Sequence, residues 1–191
     1  MSTRWFEEWS DAERTAYATR FVRLARRGQD IDGEARFVDA LADRGSRILD
    51  AGCGTGRVAA ALAARGHDAR GVDADGTLIE AGREQHPGLP LEHRDLLDLT
   101  ADDGPFELVV AAGNVLVYVD PGTEAAVLRA LASVLVPGGT AVLGFATDRA
   151  YTVADLDRDA AAVGWHLVHR FSTWQLDPWR DDADWAVSVF R

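Results

Sequence analysis

Cysteine is nearly absent from this sequence, because Cys53 is the only one among its 191 residues. An internal disulfide is therefore excluded, and a single cysteine is typical of proteins that work in a reducing compartment. The first eight residues are aromatic and acidic, which is unlike a secretory signal peptide. We therefore expect a cytoplasmic protein.

Long apolar runs and metal-ligand clusters are missing as well. No stretch approaches the ~20 apolar residues that a membrane-spanning helix requires, so we expect no membrane partner. His166 and His169 lie three positions apart on a predicted strand, which points them to opposite faces of the sheet. No other group of histidine, cysteine or aspartate has the spacing of metal ligands, so no metal is expected.

Positive charge is scarce, and the formal net charge is −11. The one dense basic cluster has the spacing of a single solvated helix face and consists of Arg20, Arg23, Arg26 and Arg27. An average surface this acidic repels a polyanion. We therefore expect no nucleic-acid partner and favour a small-molecule substrate. The sequence indicates nothing about the oligomeric state.

The composition predicts one domain. Hydrophobic residues make up 47% of the chain and charged residues 27%, as in ordinary globular proteins, and the length suffices for one buried core. No repeat or linker divides the chain. We predict a single domain over residues 1–191, in which residues 1–46 form a helical cover and residues 47–191 form an α/β core.

Two helices are predicted in the cover. Ser10 and Glu13 have the spacing of a capping box, which starts a helix that continues to about Arg27. A second amphipathic helix is predicted from about Gly33 to Arg44.

Strands and helices alternate in the core, which predicts a mostly parallel sheet. Strands are expected near residues 48–49, 69–73, 89–93, 106–112, 140–146, 165–171 and 185–190. Helices are expected near 57–65, 75–85 and 152–164, and another is capped by Asp120, has Pro121 at its first position and is broken by residues 137–139. The last two strands have no helix between them, so they should pair antiparallel.

The most informative stretch joins the first strand to the next helix and reads Asp50-Ala51-Gly52-Cys53-Gly54-Thr55-Gly56. A glycine-rich turn in this place lets backbone N–H groups approach a ligand that side chains would block. A dinucleotide fingerprint would have its third glycine where this chain has Arg57. The Gly-x-Gly-x-Gly pattern instead resembles motif I of class I S-adenosylmethionine-dependent methyltransferases.

Four segments follow the order and spacing of that family, namely residues 49–56, 71–73, 106–110 and 135–140. The resemblance implies a three-layer αβα, Rossmann-like sheet of seven strands, mostly parallel with an antiparallel C-terminal strand, preceded by the N-terminal helices. It also implies an enzyme that transfers a methyl group in line from S-adenosylmethionine to a small-molecule acceptor and releases S-adenosylhomocysteine.

The expected cofactor contacts lie after successive strands. Asp73 ends the second strand, where a carboxylate can accept hydrogen bonds from both ribose hydroxyls. The resemblance implies that Asp95 accepts from the adenine amine and that Asp50 helps to hold the methionine amino group. The full set is Asp50, Gly52, Cys53, Gly54, Asp73, Ala74, Asp95, Leu96, Ala112 and Gly113.

The acceptor end is less well defined. Asn114, Tyr118 and Tyr151 are candidates for lining it, and no residue is assigned as general base. The Asn/Asp-Pro-Pro-Tyr/Phe segment of base and protein-amide methyltransferases is absent after the fourth strand. A lid is a further expectation, formed by Trp5, Phe6 and Trp9 together with the loop 172–184, and Asp148 and Arg149 would face the same cavity.

Two alternative functions stay open. One is a protein that binds S-adenosylmethionine without turning it over, since cofactor motifs say nothing of catalysis. The other is an NAD(P)-dependent oxidoreductase, against which Arg57 and the absence of a Tyr-x-x-x-Lys pair both argue.

Overall fold

The computed structural model describes residues 3–191 and contains one seven-stranded sheet. The strands are β1 Arg47–Ala51, β2 Asp68–Asp73, β3 Leu91–His93, β4 Phe106–Ala111, β5 Leu135–Ala146, β6 Leu167–Phe171 and β7 Trp185–Phe190. The helices are α1 Arg4–Glu8, α2 Asp11–Ala18, α3 Arg20–Arg26, α4 Gly33–Leu41, α5 Arg57–Ala63, α6 Gly76–Gln85, α7 Val115–Tyr118, α8 Glu124–Val134 and α9 Val153–Ala162. Residues 1 and 2 of the predicted cover lie outside the described residues.

The strand order is β3-β2-β1-β4-β5-β7-β6. Strand β7 runs in the direction opposite to the other six strands, so its pairs with β5 and β6 are antiparallel. The predicted sheet, with its antiparallel C-terminal strand, is confirmed. From β1 the chain winds outward to β3, and it then returns to β4 on the other side of β1. Such a reversal opens a crevice at the carboxyl ends of β1 and β4, which is where ligands bind in open α/β sheets.

The sheet is covered on both faces because its central strands are apolar on both sides. Leu49 and Val109 pack with α8 and α9, whereas Ile48 and Leu108, one residue earlier on each strand, pack with α4 and α5. Successive strand residues point to opposite faces, so this alternation divides the core into two layers. The expected three-layer αβα arrangement is therefore present.

The N-terminal cover differs from the prediction in its helix boundaries. The Ser10–Glu13 capping box is present, but the helix from Ser10 to about Arg27 is interrupted at Thr19. The hydroxyl of Thr19 donates to the carbonyl oxygen of Ala16 at 3.2 Å, and such a local bond competes with helical continuation. The short α1 was not predicted.

The segment between β4 and β5 contains two further corrections. Asp120 does not cap a helix, because Gly122 adopts a positive φ of 86° and the chain turns before α8 starts behind Thr123. The helix α7 was not predicted. The segment 137–139 does not separate a helix from a strand. Strand β5 begins at Leu135, directly after α8, and residues 137–139 are part of that strand. A register irregularity opposite β4, between Phe106 and Leu108, accommodates this segment.

Helix α6 is seated so closely against the glycine turn that Gly82 has no room for a side chain. A Cβ built there would lie 2.7 Å from the carbonyl oxygen of Thr55 and 2.8 Å from a methyl carbon of Leu91. We expect Gly82→Ala to lower the free energy of unfolding by about 1–3 kcal/mol through overpacking, although alanine favours a helix more than glycine does. Urea unfolding followed by circular dichroism measures the change.

The matched control is Glu84→Ala on the same helix, where the side chain is exposed. It should leave the stability within about 0.5 kcal/mol of the parent. A Gly82→Ala protein as stable as this control would show that α6 does not need its close approach to the turn.

Candidate functional site

One cleft lies at the carboxyl ends of β1, β2 and β4, and it encloses about 970 Å³ including its open mouth. All ten residues that the sequence predicts as cofactor contacts line it: Asp50, Gly52, Cys53, Gly54, Asp73, Ala74, Asp95, Leu96, Ala112 and Gly113. They come from segments that are far apart in the chain and are brought together by the reversal of strand order.

The glycine turn after β1 has the geometry that only glycine adopts without strain. Gly52 and Gly54 have φ values of 70° and 57°, and the N–H groups of Gly52 and Cys53 donate to the carbonyl oxygen of Val72. A Cβ at Gly52 would lie 2.5 Å from a methyl carbon of Val115. The turn is therefore held against β2 on one side and α7 on the other.

Asp73 connects this turn to the end of β2. One carboxylate oxygen accepts from the N–H of Gly54 at 2.7 Å, and the other accepts from the N–H of Asp75 at 2.8 Å. Each carboxylate oxygen can accept more than one hydrogen bond, so capacity remains for a ligand in the cleft. Desolvation by burial raises the pKa of Asp73 to about 6.

Asp50 lies deeper, with 2% of its surface exposed. Its carboxylate accepts from the N–H of Ala59 in the first turn of α5 at 3.0 Å. Burial raises the pKa of Asp50 to about 7, opposed by that hydrogen bond and by the positive charge of Arg57, and Asp73 raises it further. The cleft thus holds two carboxyl groups that bind a proton more readily than an exposed aspartate does.

Asp95 and Leu96 form the end of the cleft that follows β3. The side chain of Asp95 accepts from the N–H of Leu97 at 2.9 Å and starts a short 3-10 turn, and Leu96 is 6% exposed. An acid beside a buried leucine can bind one polar edge and one face of a flat heterocycle. These are the features that the predicted adenine contacts require.

Cys53 lines the cleft with a thiol whose pKa lies well above its ordinary value, chiefly because of burial. The nearby carboxyl groups of Asp50 and Asp73 raise it further. A thiol in this state stays protonated and is a poor nucleophile.

Arg57 was assigned only as the first residue of a helix, but the structure gives it a larger role. Its guanidinium donates two hydrogen bonds to Glu34, at 2.9 and 2.6 Å, and another to the carbonyl oxygen of Ile31. It also lies 4.2 Å from the ring centre of Phe21. Arg57 thereby ties the cover to the glycine turn. No local sequence signal pairs it with an acid 23 residues earlier.

Of the three residues predicted to line the acceptor end, one lines the cleft and two do not. Tyr118 lines the cleft. Asn114 does not, because its side-chain oxygen accepts from the N–H of Ala146 at 2.8 Å and joins the ends of β4 and β5. Tyr151 is 6% exposed and its hydroxyl donates to Asp159, so it belongs to the core beside Phe145. Asn114 and Tyr151 therefore lie outside the cleft, contrary to the prediction.

The two parts of the expected lid also differ in whether they line the cleft. Of the predicted lid residues Trp5, Phe6 and Trp9, Trp5 lines the cleft and the other two do not, and the cover also contributes Thr3, Tyr17 and Phe21. The loop 172–184 contributes no lining residue within the described chain, because its Trp174 packs against Phe37 and Gly144. Asp148 and Arg149 pair with each other at 3.3 Å and do not line the cleft either.

Two features are absent from residues 3–191. No cluster of three or more histidine, cysteine, aspartate or glutamate side chains within this range could hold a metal ion. No helix in the same range is long and apolar enough to cross a membrane.

The sheet order, the glycine turn and the carboxylates after β1, β2 and β3 define a Rossmann-like protein with a nucleoside-cofactor cleft. Residues 48–139 match the family model described as "Methyltransferase domain". A TehB-like SAM-dependent methyltransferase from Corynebacterium glutamicum, known from its crystal structure, is 36% identical and superimposes with a TM-score of 0.89, covering 95% of this chain and 98% of that one. The chain belongs to the class I S-adenosylmethionine-dependent methyltransferase family.

Curated relatives match over shorter stretches. A ubiquinone biosynthesis O-methyltransferase from Xanthomonas campestris is 31% identical over 141 residues, which cover 65% of this chain and 58% of that protein. A demethylmenaquinone methyltransferase from Clavibacter sepedonicus is 36% identical over 102 residues, which cover 52% and 40%. The chain thus spans about half the length of these relatives.

The predicted family and fold class are confirmed. The family's cofactor is S-adenosylmethionine, which leaves as S-adenosylhomocysteine after transfer. The oxidoreductase alternative finds no support among these relatives.

Burial of Asp50 should cost stability in a pH-dependent way. Its pKa in the folded protein, about 7, lies above the unfolded value of about 3.9, so the folded state binds the proton more tightly. The stability cost is therefore absent below pH 4, grows as the pH rises, and is complete above pH 7. We expect Asp50→Asn to raise the free energy of unfolding of the ligand-free protein by about 1–3 kcal/mol at pH 8 and by much less at pH 5.

Urea titrations at both pH values measure this difference. Asp43→Asn is the matched control, since that side chain is exposed, and it should change stability at neither pH. An Asp50→Asn protein that is less stable than the parent at pH 8 would contradict the assigned cost of burial.

Proposed function

We propose that this chain transfers a methyl group from S-adenosylmethionine to a small-molecule acceptor by in-line displacement. The observation that carries the proposal is the convergence of the turn, Asp50, Asp73 and Asp95 on one cleft. The bound cofactor supplies an activated methyl group on a positively charged sulfur. The protein then has to bind it, align the acceptor and exclude water.

The charge of the cleft fits a cationic cofactor better than a dinucleotide. Three carboxylates line it, and the lining guanidinium of Arg57 is already paired with Glu34. A pyrophosphate would meet these carboxylates at close range, whereas a sulfonium and an ammonium group are attracted by them. Asp73 would accept from the ribose hydroxyls, Asp95 from the adenine amine, and Asp50 would lie nearest the methionine ammonium.

The acceptor end is apolar and aromatic. Trp5, Val115, Tyr118 and Val119 line the cleft there, and the rings of Trp5 and Tyr118 meet edge to face with centroids 5.5 Å apart. No histidine lines the cleft among residues 3–191, so we assign no general base. The relatives named as a ubiquinone biosynthesis O-methyltransferase and a demethylmenaquinone methyltransferase support a small-molecule acceptor.

The proposal includes the cellular compartment of the protein and the class of acceptor that it excludes. We place it in the cytoplasm, which the single free cysteine supports. The net charge of −11 supports an acceptor other than a nucleic acid.

Binding of S-adenosylhomocysteine, measured by titration calorimetry, tests the cofactor. We expect saturable binding of S-adenosylhomocysteine and none of NADH. Asp73→Ala should weaken binding by about 1–3 kcal/mol, because it removes a charged acceptor from the ribose. Asp68→Ala, at the exposed start of the same strand, should leave the binding of S-adenosylhomocysteine unchanged. Binding of NADH without S-adenosylhomocysteine would overturn the proposal.

Turnover is tested separately by release of S-adenosylhomocysteine from S-adenosylmethionine in the presence of a panel of small phenols, quinols, amines and thiols. Release above the acceptor-free rate is expected with at least one class. Binding without release across the panel would instead favour the non-catalytic alternative.

The affinity for S-adenosylhomocysteine should fall in mild acid. Asp73 and Asp50 have pKa values of about 6 and about 7, and their ionised forms accept more strongly from the ribose and attract the ammonium group. We expect the dissociation constant to rise about tenfold or more from pH 8 to pH 5.5. A pH-independent dissociation constant over this range would show that the ligand does not select the ionised forms.

A further inference from the structure

Asp75, two residues beyond Asp73, is a buried carboxylate with two separate sets of partners. It is 1% exposed. One oxygen accepts from the N–H groups of Thr77 at 2.9 Å and Leu78 at 3.4 Å, which caps α6. The other accepts from the indole N–H of Trp5 at 2.8 Å and lies 2.9 Å from Nε of Arg14.

The second set of partners belongs to the N-terminal cover. Trp5 is on α1 and lines the cleft, and Arg14 is on α2 with a side chain only 12% exposed. Tyr17, also on α2, lies 3.9 Å from where a Cβ of Gly54 would be, so the cover reaches the glycine turn. These contacts place α1 and α2 over the ligand-binding region.

The same residue also connects to the cofactor-binding acid. The N–H of Asp75 donates to one oxygen of Asp73, whose other oxygen accepts from Gly54. A continuous chain of hydrogen bonds therefore runs from the glycine turn through Asp73 and Asp75 to Trp5. A ligand that fixes Asp73 also fixes the backbone that presents Asp75 to the cover.

Helix capping alone does not explain this arrangement. A cap requires one acceptor oxygen, and serine serves equally well in that place. The second oxygen of Asp75 is used for the cover: it accepts a hydrogen bond from the indole N–H of Trp5 on α1 and forms an ion pair with Arg14 on α2. A buried carboxylate that loses such partners is left with an uncompensated charge, so the contact is strong while it is closed and costly to open.

We propose that Asp75 is a positioning residue whose contacts with Trp5 and Arg14 latch α1 and α2 over the cleft, so that cofactor exchange requires the latch to open. The latch rests on the proposed function, because the molecule whose exchange it controls is the methyl donor. It also holds Trp5 in place as a wall of the acceptor end. The other direct polar ties of α1 and α2 to the body are longer, at 3.1 Å from Gln85 to Ala18 and 3.4 Å from Arg4 to Val117.

Two variants separate the latch from capping and packing. Asp75→Ser retains an N-cap oxygen but loses the second carboxylate oxygen. Trp5→Phe removes the indole N–H and keeps an aromatic ring. Trp9→Phe is the matched control, because Trp9 stacks on Trp5 at 4.7 Å in the same cover but makes no hydrogen bond to Asp75.

Two measurements on the full chain report the latch. Hydrogen exchange followed by mass spectrometry gives the opening of residues 3–18 with and without S-adenosylhomocysteine. Stopped-flow displacement gives the dissociation rate of that ligand. We expect the ligand to slow exchange of residues 3–18 in the parent. In Asp75→Ser and Trp5→Phe, exchange of these residues and ligand dissociation should each be about tenfold faster, as expected for loss of a charged hydrogen bond.

The double variant should behave like Asp75→Ser alone, because that change already removes the acceptor of the Trp5 bond. Trp9→Phe should match the parent in both measurements. Equal acceleration in Trp9→Phe, or parent-like exchange of residues 3–18 in variants that bind S-adenosylhomocysteine, would overturn the latch and leave the proposed function standing. No binding to the parent protein would overturn the proposed function and, with it, control of exchange by the latch.

Discussion

The structure depends on carboxylates held close together beneath a turn of backbone N–H groups. Asp73 accepts from the turn at Gly54, and Asp50 accepts from the helix that the turn begins. Like charges at this depth repel each other, and burial disfavours both ionised forms, as their raised pKa values show. The fold sustains this cost because the turn is fixed from both sides, by β2 and by Val115 of α7. A site of this kind gains most from a positively charged ligand.

The cleft is lined by two parts of the chain, the α/β core and the N-terminal cover, which contribute different kinds of side chain. The α/β core provides the carboxylates and the glycine turn, whose positions are set by strand ends and backbone geometry. The N-terminal cover provides aromatic rings, and it is joined to the core by Arg57 with Glu34 and by Asp75 with Trp5 and Arg14. These ion pairs are largely shielded from water, so they orient the cover more strictly than exposed pairs would. The carboxylates of the cleft are therefore positioned by the core, whereas its aromatic wall combines Trp5 of the cover with Tyr118 of the core.

The corrections to the predicted acceptor end and lid share one feature, which is that the side chains concerned find their partners within the protein. Asn114 and Tyr151 follow strands at the carboxyl edge, which made them candidates, but each satisfies its polar group within the protein and lies outside the cleft. The aromatic loop 172–184 packs away from the cleft for the same reason, since Trp174 finds an apolar site against Phe37 and Gly144. Position along the chain indicates which end of the sheet a residue is near. Rotamers and partners decide whether it faces a ligand.

The resemblance to the methyltransferase family supplied the set of ten residues that line the cleft. Local pattern by itself determined the strand succession, the glycine turn and Ser10 as a helix cap. Those features depend on periodicity, on glycine stereochemistry and on strand order, which are all readable within short windows of sequence. Only the tertiary structure decided that Arg57 pairs with Glu34, that Asp75 serves the cover as well as its own helix, and that Trp5 and Tyr17 reach the cleft. Each of these joins residues more than ten positions apart through side chains, and no local signal encodes such a partner. The interruption at Thr19 and the turn at Gly122 depend on local backbone conformation, with a hydrogen bond from Thr19 to Ala16 and a positive φ at Gly122.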